Sequence, residues 1–217
     1  MRTDWKELAD NAKARSDMYG LLANVFREEP TEALIEELRD PGISGVFSDM
    51  EAKLGETFYS DPVPEVTERL MLEFTRLFIG PSGHISPHES VFVESDGGVG
   101  GLWGAKTVEV KKFIESTGLD YETRYKGIPD HISVELEFMQ KMTEWESDNW
   151  MLEEAVSAEQ SRSVQNLFLE DHLLCWVFEL GDRISAQAES GFYRAMAELL
   201  KQFMDFERQD MQIDVAA

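Results

Sequence analysis

The residues of this chain able to bind a metal or move a proton are four histidines, one cysteine and an excess of carboxylates. His84 and His88 have a spacing that zinc ligands use, but Pro87 and two nearby glycines argue against the helix that would aim both rings at one ion. A di-iron bundle needs Glu-x-x-His pairs, and the residues three before each histidine are Pro81, Ile85, Ile128 and Leu169, so ligand type excludes it. His172 lies one turn before Cys175, a nucleophile pair on paper. Leu174 and Trp176 nevertheless flank the thiol in an apolar run and mark it as a small core residue. The stretch from Gly100 to Thr107 has a superficial likeness to a phosphate loop, but Ala105 interrupts the required Gly-Lys-Thr and no parallel strand precedes it. That leaves Asp130-His131, an acid-base pair that a small helical hydrolase or cofactor-binding enzyme could use. Adjacent residues at a helix start point in different directions, which favours Asp130 as a helix cap and His131 as a packing or partner-binding residue. No catalytic residue, cofactor or metal is expected.

These side chains must be positioned by a scaffold, and 217 residues suffice to bury a core without disulfides or metals. With 42% hydrophobic and 11% aromatic residues the chain is globular, yet its net charge is −23. A field of that sign repels phosphate backbones and anionic lipid, so nucleic acid and membrane insertion are not expected, and a basic partner would be attracted. A lone cysteine fits a reducing compartment. No apolar stretch follows the first residues to serve as a secretion signal, and the longest unbroken apolar run, residues 173–178, is too short to cross a bilayer. A cytoplasmic protein is expected.

Apolar periodicity supplies the elements. Trp5, Leu8, Ala12, Tyr19, Leu22 and Phe26 predict a helix over 4–28, closed by Pro30. Leu34, Ile35 and Leu38 mark a short helix, and a weaker helical stretch covers 44–54. Val66, Leu70, Phe74, Leu77 and Phe78 line a helix that stops at Gly80-Pro81. Residues 80–104 hold seven glycines and two prolines and no sustained period, which predicts an irregular, functional segment. Helical pattern returns over 105–117 and ends at Gly118. After a linker, Pro129-Asp130 starts a helix with one stripe at Val134, Phe138, Met142 and Trp145 and a second at Ile132, Leu136 and Met139. Ser157 with Gln160 resembles a capping box for a helix carrying Val164, Phe168, His172 and Trp176 to about Gly181, and a last helix spans 192–208. Strand alternation is absent, so the fold class is all-α, a helical bundle. Its organisation is expected to be an N-terminal helical part, 1–118, a hinge or linker, 119–128, and a C-terminal part, 129–217.

Three segments resemble the TorD/DmsD-like family of redox enzyme maturation chaperones. They are Leu77-Phe78-Ile79-Gly80-Pro81 with Pro87-His88-Glu89-Ser90-Val91-Phe92, then the run from Pro129 to Met139, then the run from Phe168 to Val177. Members often carry a glutamate and proline just before the aspartate-histidine pair, where this chain has Gly127-Ile128-Pro129. The resemblance implies an all-helical chaperone of two unequal helical parts joined by a hinge. It also implies a client: the twin-arginine signal peptide or apo form of a molybdopterin oxidoreductase catalytic subunit, held until its cofactor is inserted, by a monomer or a dimer in which domain swapping is possible.

A twin-arginine signal has a basic start and an apolar middle, so its receptor needs an acidic rim beside an apolar groove. The expected peptide-binding residues border residues 80–104 and the start of the Asp130-His131 helix. Phe92, Trp103 and Tyr125 would give apolar contact, Asp130, Glu89 and Glu94 would meet the arginines, and Ser90 and His131 complete the expected peptide-binding set. The rival readings are the small hydrolase above and a general acidic interaction module.

Overall fold

In a computed structural model the chain is described over residues 4–42, 53–81, 83–93, 102–119 and 127–214. These residues form α1 (Trp5–Arg27), α2 (Glu32–Leu38), α3 (Glu56–Ser60), α4 (Val63–Phe74), α5 (Glu89–Phe92), α6 (Ala105–Ser116), α7 (Ile132–Met151), α8 (Ala155–Phe168), α9 (Leu174–Gln187) and α10 (Gly191–Asp214). A π-helical turn, Thr75–Ile79, follows α4, and a second, Leu169–Leu173, joins α8 to α9. No strand occurs among the described residues, where extended pairing is limited to an isolated antiparallel bridge between His88 and His131. The all-α reading therefore holds. The weak helical stretch over 44–54 falls almost wholly outside the described residues.

The chain divides into two compact units, each assembled from two separate stretches. The first comprises Met1–Arg27 and His88–Trp176, the second Glu28–Pro87 and Val177–Ala217.

In the first unit α1 lies along α7, and α8 packs on α7. Tyr19 and Leu22 of α1 and Ile132, Leu136 and Met139 of α7 are fully buried. The approach is close: a side chain at Gly20 would meet the Gln140 amide at 2.4 Å. A buried polar cluster pins the three helices. Arg15 Nη1 donates to Glu146 Oε2 at 2.9 Å and Arg15 Nη2 to Gln165 Oε1 at 2.7 Å. Gln165 Nε2 donates to the same Glu146 oxygen at 2.9 Å, and Trp150 Nε1 to its other oxygen at 3.2 Å. Further along, Phe113, Phe138 and Phe168 form an aromatic cluster, the last two 4.5 Å apart between ring centroids.

The second unit is built from α2, α3, α4, most of α9 and α10. Val66, Leu70, Phe74, Leu77 and Phe78 are buried as their spacing predicts. Phe58 stacks on Phe192, and Tyr193 Oη donates to the Leu70 carbonyl at 3.3 Å. Glu73 reaches the start of α10, where its Oε1 accepts from the amides of Glu189 and Ser190 at 2.7 and 2.9 Å. A carboxylate there satisfies amides that the helix leaves unpaired and complements its dipole. A recess of about 880 Å³ opens beside this cap, between α3, α4 and the α10 start.

Several local expectations are corrected. Trp145 is 49% exposed, because the buried stripe of α7 keeps its step of four from Met142 to Glu146 and Trp150. Ser157 does not cap α8, which begins at Ala155 after a turn in which Glu153 has φ of 60°. Cys175 is exposed. The face that buries His172, Leu173, Trp176 and Val177 turns the thiol outward, where it donates to the Glu170 carbonyl. Gly118 fits its expected role, with φ of 82° just past α6, a conformation that glycine adopts without steric cost.

Candidate functional site

The site grows from a helix too short to hold itself. α5 has four residues, and a single turn fixes several torsions for very few hydrogen bonds. Residues 40 positions away supply what it lacks. Glu89 N donates to the Asp130 carbonyl and Ser90 N to Asp130 Oδ2, both at 2.9 Å. The sequence reading that Asp130 caps its own helix is thus corrected: its carboxylate caps α5. The α7 start is served instead by His131, whose Nδ1 accepts from Ser133 N at 3.1 Å. Burial, reinforced by His88 and Arg27, pushes the His131 pKa down to about 3, so the ring is neutral at physiological pH.

Three carboxylates share this interior, with Glu89, Asp130 and Glu135 each fully buried. Glu89 Oε2 pairs with His172 Nδ1 at 2.9 Å, and Lys106 Nζ stands 3.9 Å from the other oxygen. Glu135 Oε2 accepts from Trp176 Nε1 at 3.1 Å. Burial first, and then the nearby Glu89, hold the Glu135 carboxyl well above its ordinary pKa and favour its neutral form. Five buried oxygen atoms, Glu89 Oε1, Ser90 Oγ, Thr107 Oγ1, Asp130 Oδ1 and Glu135 Oε1, make no hydrogen bond. Buried groups left in that condition are costly, and they concentrate where a structure serves something besides its own stability.

Several apolar side chains of α5 and the α6 region are partly exposed. Phe92, half-buried, rests on Trp176 with ring centroids 5.2 Å apart. Lys106 links α5 to the first turn of α6, and just before that turn Leu102 and Trp103 are 48% and 70% exposed. Trp103 has φ of 67°, a left-handed conformation that a large side chain adopts only at a cost. Val108 adds a third exposed apolar side chain.

Of the eight residues singled out from sequence, Glu89, Ser90, Asp130 and His131 meet in one node, and Phe92 lies at its edge. Trp103 stands exposed before α6, while Glu94 and Tyr125 lie outside the described residues. Sequence reasoning missed Glu135, His172 and Trp176 as members of the node. Glu135 sits four residues after His131, one helical turn along, and His172 and Trp176 share the same spacing; that periodicity was the available signal. His84 is exposed while His88 is buried, so the two do not share an ion, and no cluster of three or more metal-binding side chains occurs among the described residues. None of the described helices is long and apolar enough to cross a membrane.

The helical scaffold has known counterparts. The family described as nitrate reductase delta subunit matches residues 26–181, a span containing the whole node, and the chain belongs to that family, within the TorD/DmsD-like redox enzyme maturation chaperones. It is a chaperone, not an enzyme. The chaperone protein TorD of Vibrio parahaemolyticus is 24% identical over 87% of this chain and 90% of its own length. A perchlorate reductase assembly chaperone protein of Dechloromonas aromatica is 27% identical over 94% of this chain and 93% of its own. In fold, the chain is similar to the crystal structure of a candidate redox enzyme maturation protein from Archaeoglobus fulgidus, with a TM-score of 0.52 at 20% identity over 88% of this chain and 92% of that one.

Proposed function

We propose that this chaperone holds the precursor of a molybdopterin oxidoreductase catalytic subunit in the cytoplasm, through its twin-arginine signal peptide or its apoprotein, until the cofactor is inserted. The observation that carries this reading is the α5 node inside the family-matched region. A one-turn helix, capped by Asp130 and tied through Glu89 to His172 and Lys106, precedes an α6 start at which Leu102 and Trp103 are open to solvent. Glu89 and Asp130 are buried, so they act as positioning residues that hold α5 and its Phe92 in place, rather than as direct partners of client arginines. Client contact falls to the apolar edge. Apolar burial dominates affinity in such a contact, because exposed ion pairs contribute at most about 1 kcal/mol each. His131 does not serve as a general base: its ring is buried and its Nδ1 is occupied by the Ser133 amide.

The test is calorimetry with signal peptides encoded beside neighbouring oxidoreductase genes. Trp103→Ala should weaken binding at least tenfold, and Asp130→Ala should weaken it while leaving overall helicity intact. Peptides that bind neither the native chain nor any variant, together with no co-purifying oxidoreductase subunit, would sink the reading.

A further inference from the structure

The node also holds a pair of buried histidines. His88 and His131 are joined by the antiparallel bridge, their rings meet edge to face with centroids 4.9 Å apart, and they are 9% and 4% exposed. Each stands at the residue before a helix, His88 before α5 and His131 before α7. The His131 ring caps its own helix through the Ser133 amide. The His88 ring does not cap α5, whose first two amides go to the Asp130 carbonyl and carboxylate instead.

What a proton would do at His88 follows from the charges around it. Burial, the larger effect, holds its pKa below the ordinary value, while Asp130 pulls the other way. Arg27 of α1 acts on His131 and is itself paired with Glu137 of α7 at 3.3 Å. Glu89 of α5, with its partners His172 and Lys106, and Glu135 of α7 are the other ionisable groups of the node. A proton on His88 sets an imidazolium competing with the Ser90 amide for the carboxylate that caps α5. The same charge lies beside the start of α7, where the helix dipole disfavours a cation. With only four residues, α5 cannot hold its shape without that cap.

We propose that His88 is a proton-operated latch on α5: neutral, it lets Asp130 hold the short helix in place, and protonated, it undocks the helix and loosens the client-bearing edge while α7 stays folded. The latch rests on the client-holding function above and supplies its regulation, a release in acid. Linkage fixes the sign. Docked α5 keeps His88 buried and resistant to a proton, whereas undocking returns it toward its ordinary 6.5, so falling pH favours the undocked form. Near pH 5 the shift in the opening equilibrium is at most about thirtyfold. Glu135 acts in the opposite direction, because the docked node favours its neutral form; the share of His88 is therefore read against a chain lacking only that histidine.

The measurement is amide hydrogen exchange on the full chain between about pH 7.5 and 5, resolved over residues 88–93 and 132–139. It compares the native protein with His88→Asn, where asparagine cannot titrate and suits the residue before a helix. Relative to the variant, the native chain should lose protection over 88–93 by about ten- to thirtyfold as pH falls, with none lost over 132–139. His88→Gln gives the same comparison should the asparagine variant fail to fold. A ratio of protection between the two chains that stays constant over 88–93 overturns the latch. So does opening of 132–139 together with 88–93, which assigns the effect to unfolding of the whole unit. In a second arm, calorimetry follows a synthetic peptide of two adjacent arginines and a leucine- and alanine-rich run. The native chain should bind it at least about threefold more weakly near pH 5 than near pH 7.5, a dependence that His88→Asn lacks. Native affinity that holds at the lower pH overturns the release. A peptide that binds at neither pH counts against client holding itself, and the exchange arm, which needs no client, still decides the latch.

Discussion

The first unit holds two buried polar clusters that solve the same problem in opposite ways. Around Glu146 every buried charge has an answer: Arg15, Gln165, Trp150 and Arg162 all direct donors at its two oxygens. Among Glu89, Asp130, Glu135 and the nearby hydroxyls of Ser90 and Thr107, five buried oxygen atoms make no hydrogen bond. A satisfied cluster locks helices together; an under-satisfied one retains polar groups whose free valence is useful to something else. The contrast separates the part of the unit that locks its shape from the part proposed above to serve the client.

Breaking the satisfied cluster should have the largest effect. Arg15→Met leaves Glu146 buried with its principal cation gone, and the expected cost is about 3–5 kcal/mol, read as a lowered midpoint in denaturant. A loss under about 1 kcal/mol would mean that the cluster is not the lock described here.

Acid should expose the other cluster next. Unfolded histidine takes up a proton below its usual 6.5, whereas folded His131 resists protonation down to about 3, so stability is lost as pH falls from 6.5 toward 3. His88 is shifted in the same direction by burial. The expected loss is at most about 5 kcal/mol. His131→Asn, which can still cap α7, should flatten that limb in thermal melts taken across the range; an unchanged slope would remove His131 from the explanation.

The smallest expected effect has the opposite sign. Glu135 is raised, so the unfolded chain ionises above pH 4.5 while the folded one keeps its proton, and stability falls as pH rises beyond that point. Glu135→Gln can still accept from Trp176 and cannot ionise. It should gain about 1 kcal/mol near pH 7–8 and nothing near pH 4, in melts compared with the native chain. Destabilisation at neutral pH would show that the cluster is better satisfied than its unpartnered atoms indicate.

Much of the scaffold was legible from apolar spacing alone. The helix over 4–28 matches α1, the stripes of α7 at Ile132, Leu136 and Met139 and at Val134, Phe138 and Met142 are buried, and Gly118 ends α6. What escaped was set by contacts distant in sequence. Asp130 caps a helix 40 residues earlier, a pairing that local capping rules cannot see. The π turns were invisible because apolar residues three to five apart satisfy an α-helical pattern either way. Exposed Cys175 followed from the same blindness, since an apolar run does not say which member faces out. Of the site, the resemblance to a family drew attention to the segments containing Glu89, Asp130 and His131. The burial of those residues, and the participation of Glu135, came from tertiary packing.

The turn Leu169–Leu173 has one more consequence. An extra residue wound into a helix acts like a vernier slipped by one division: everything after it keeps its spacing but changes its compass bearing. His172 lies within that slip and Trp176 just past it, so their meeting with Glu89 and Glu135 depends on the count of residues in the turn as much as on their identity. Deleting a single residue there would leave each side chain present in the chain and bring different ones to the carboxylates.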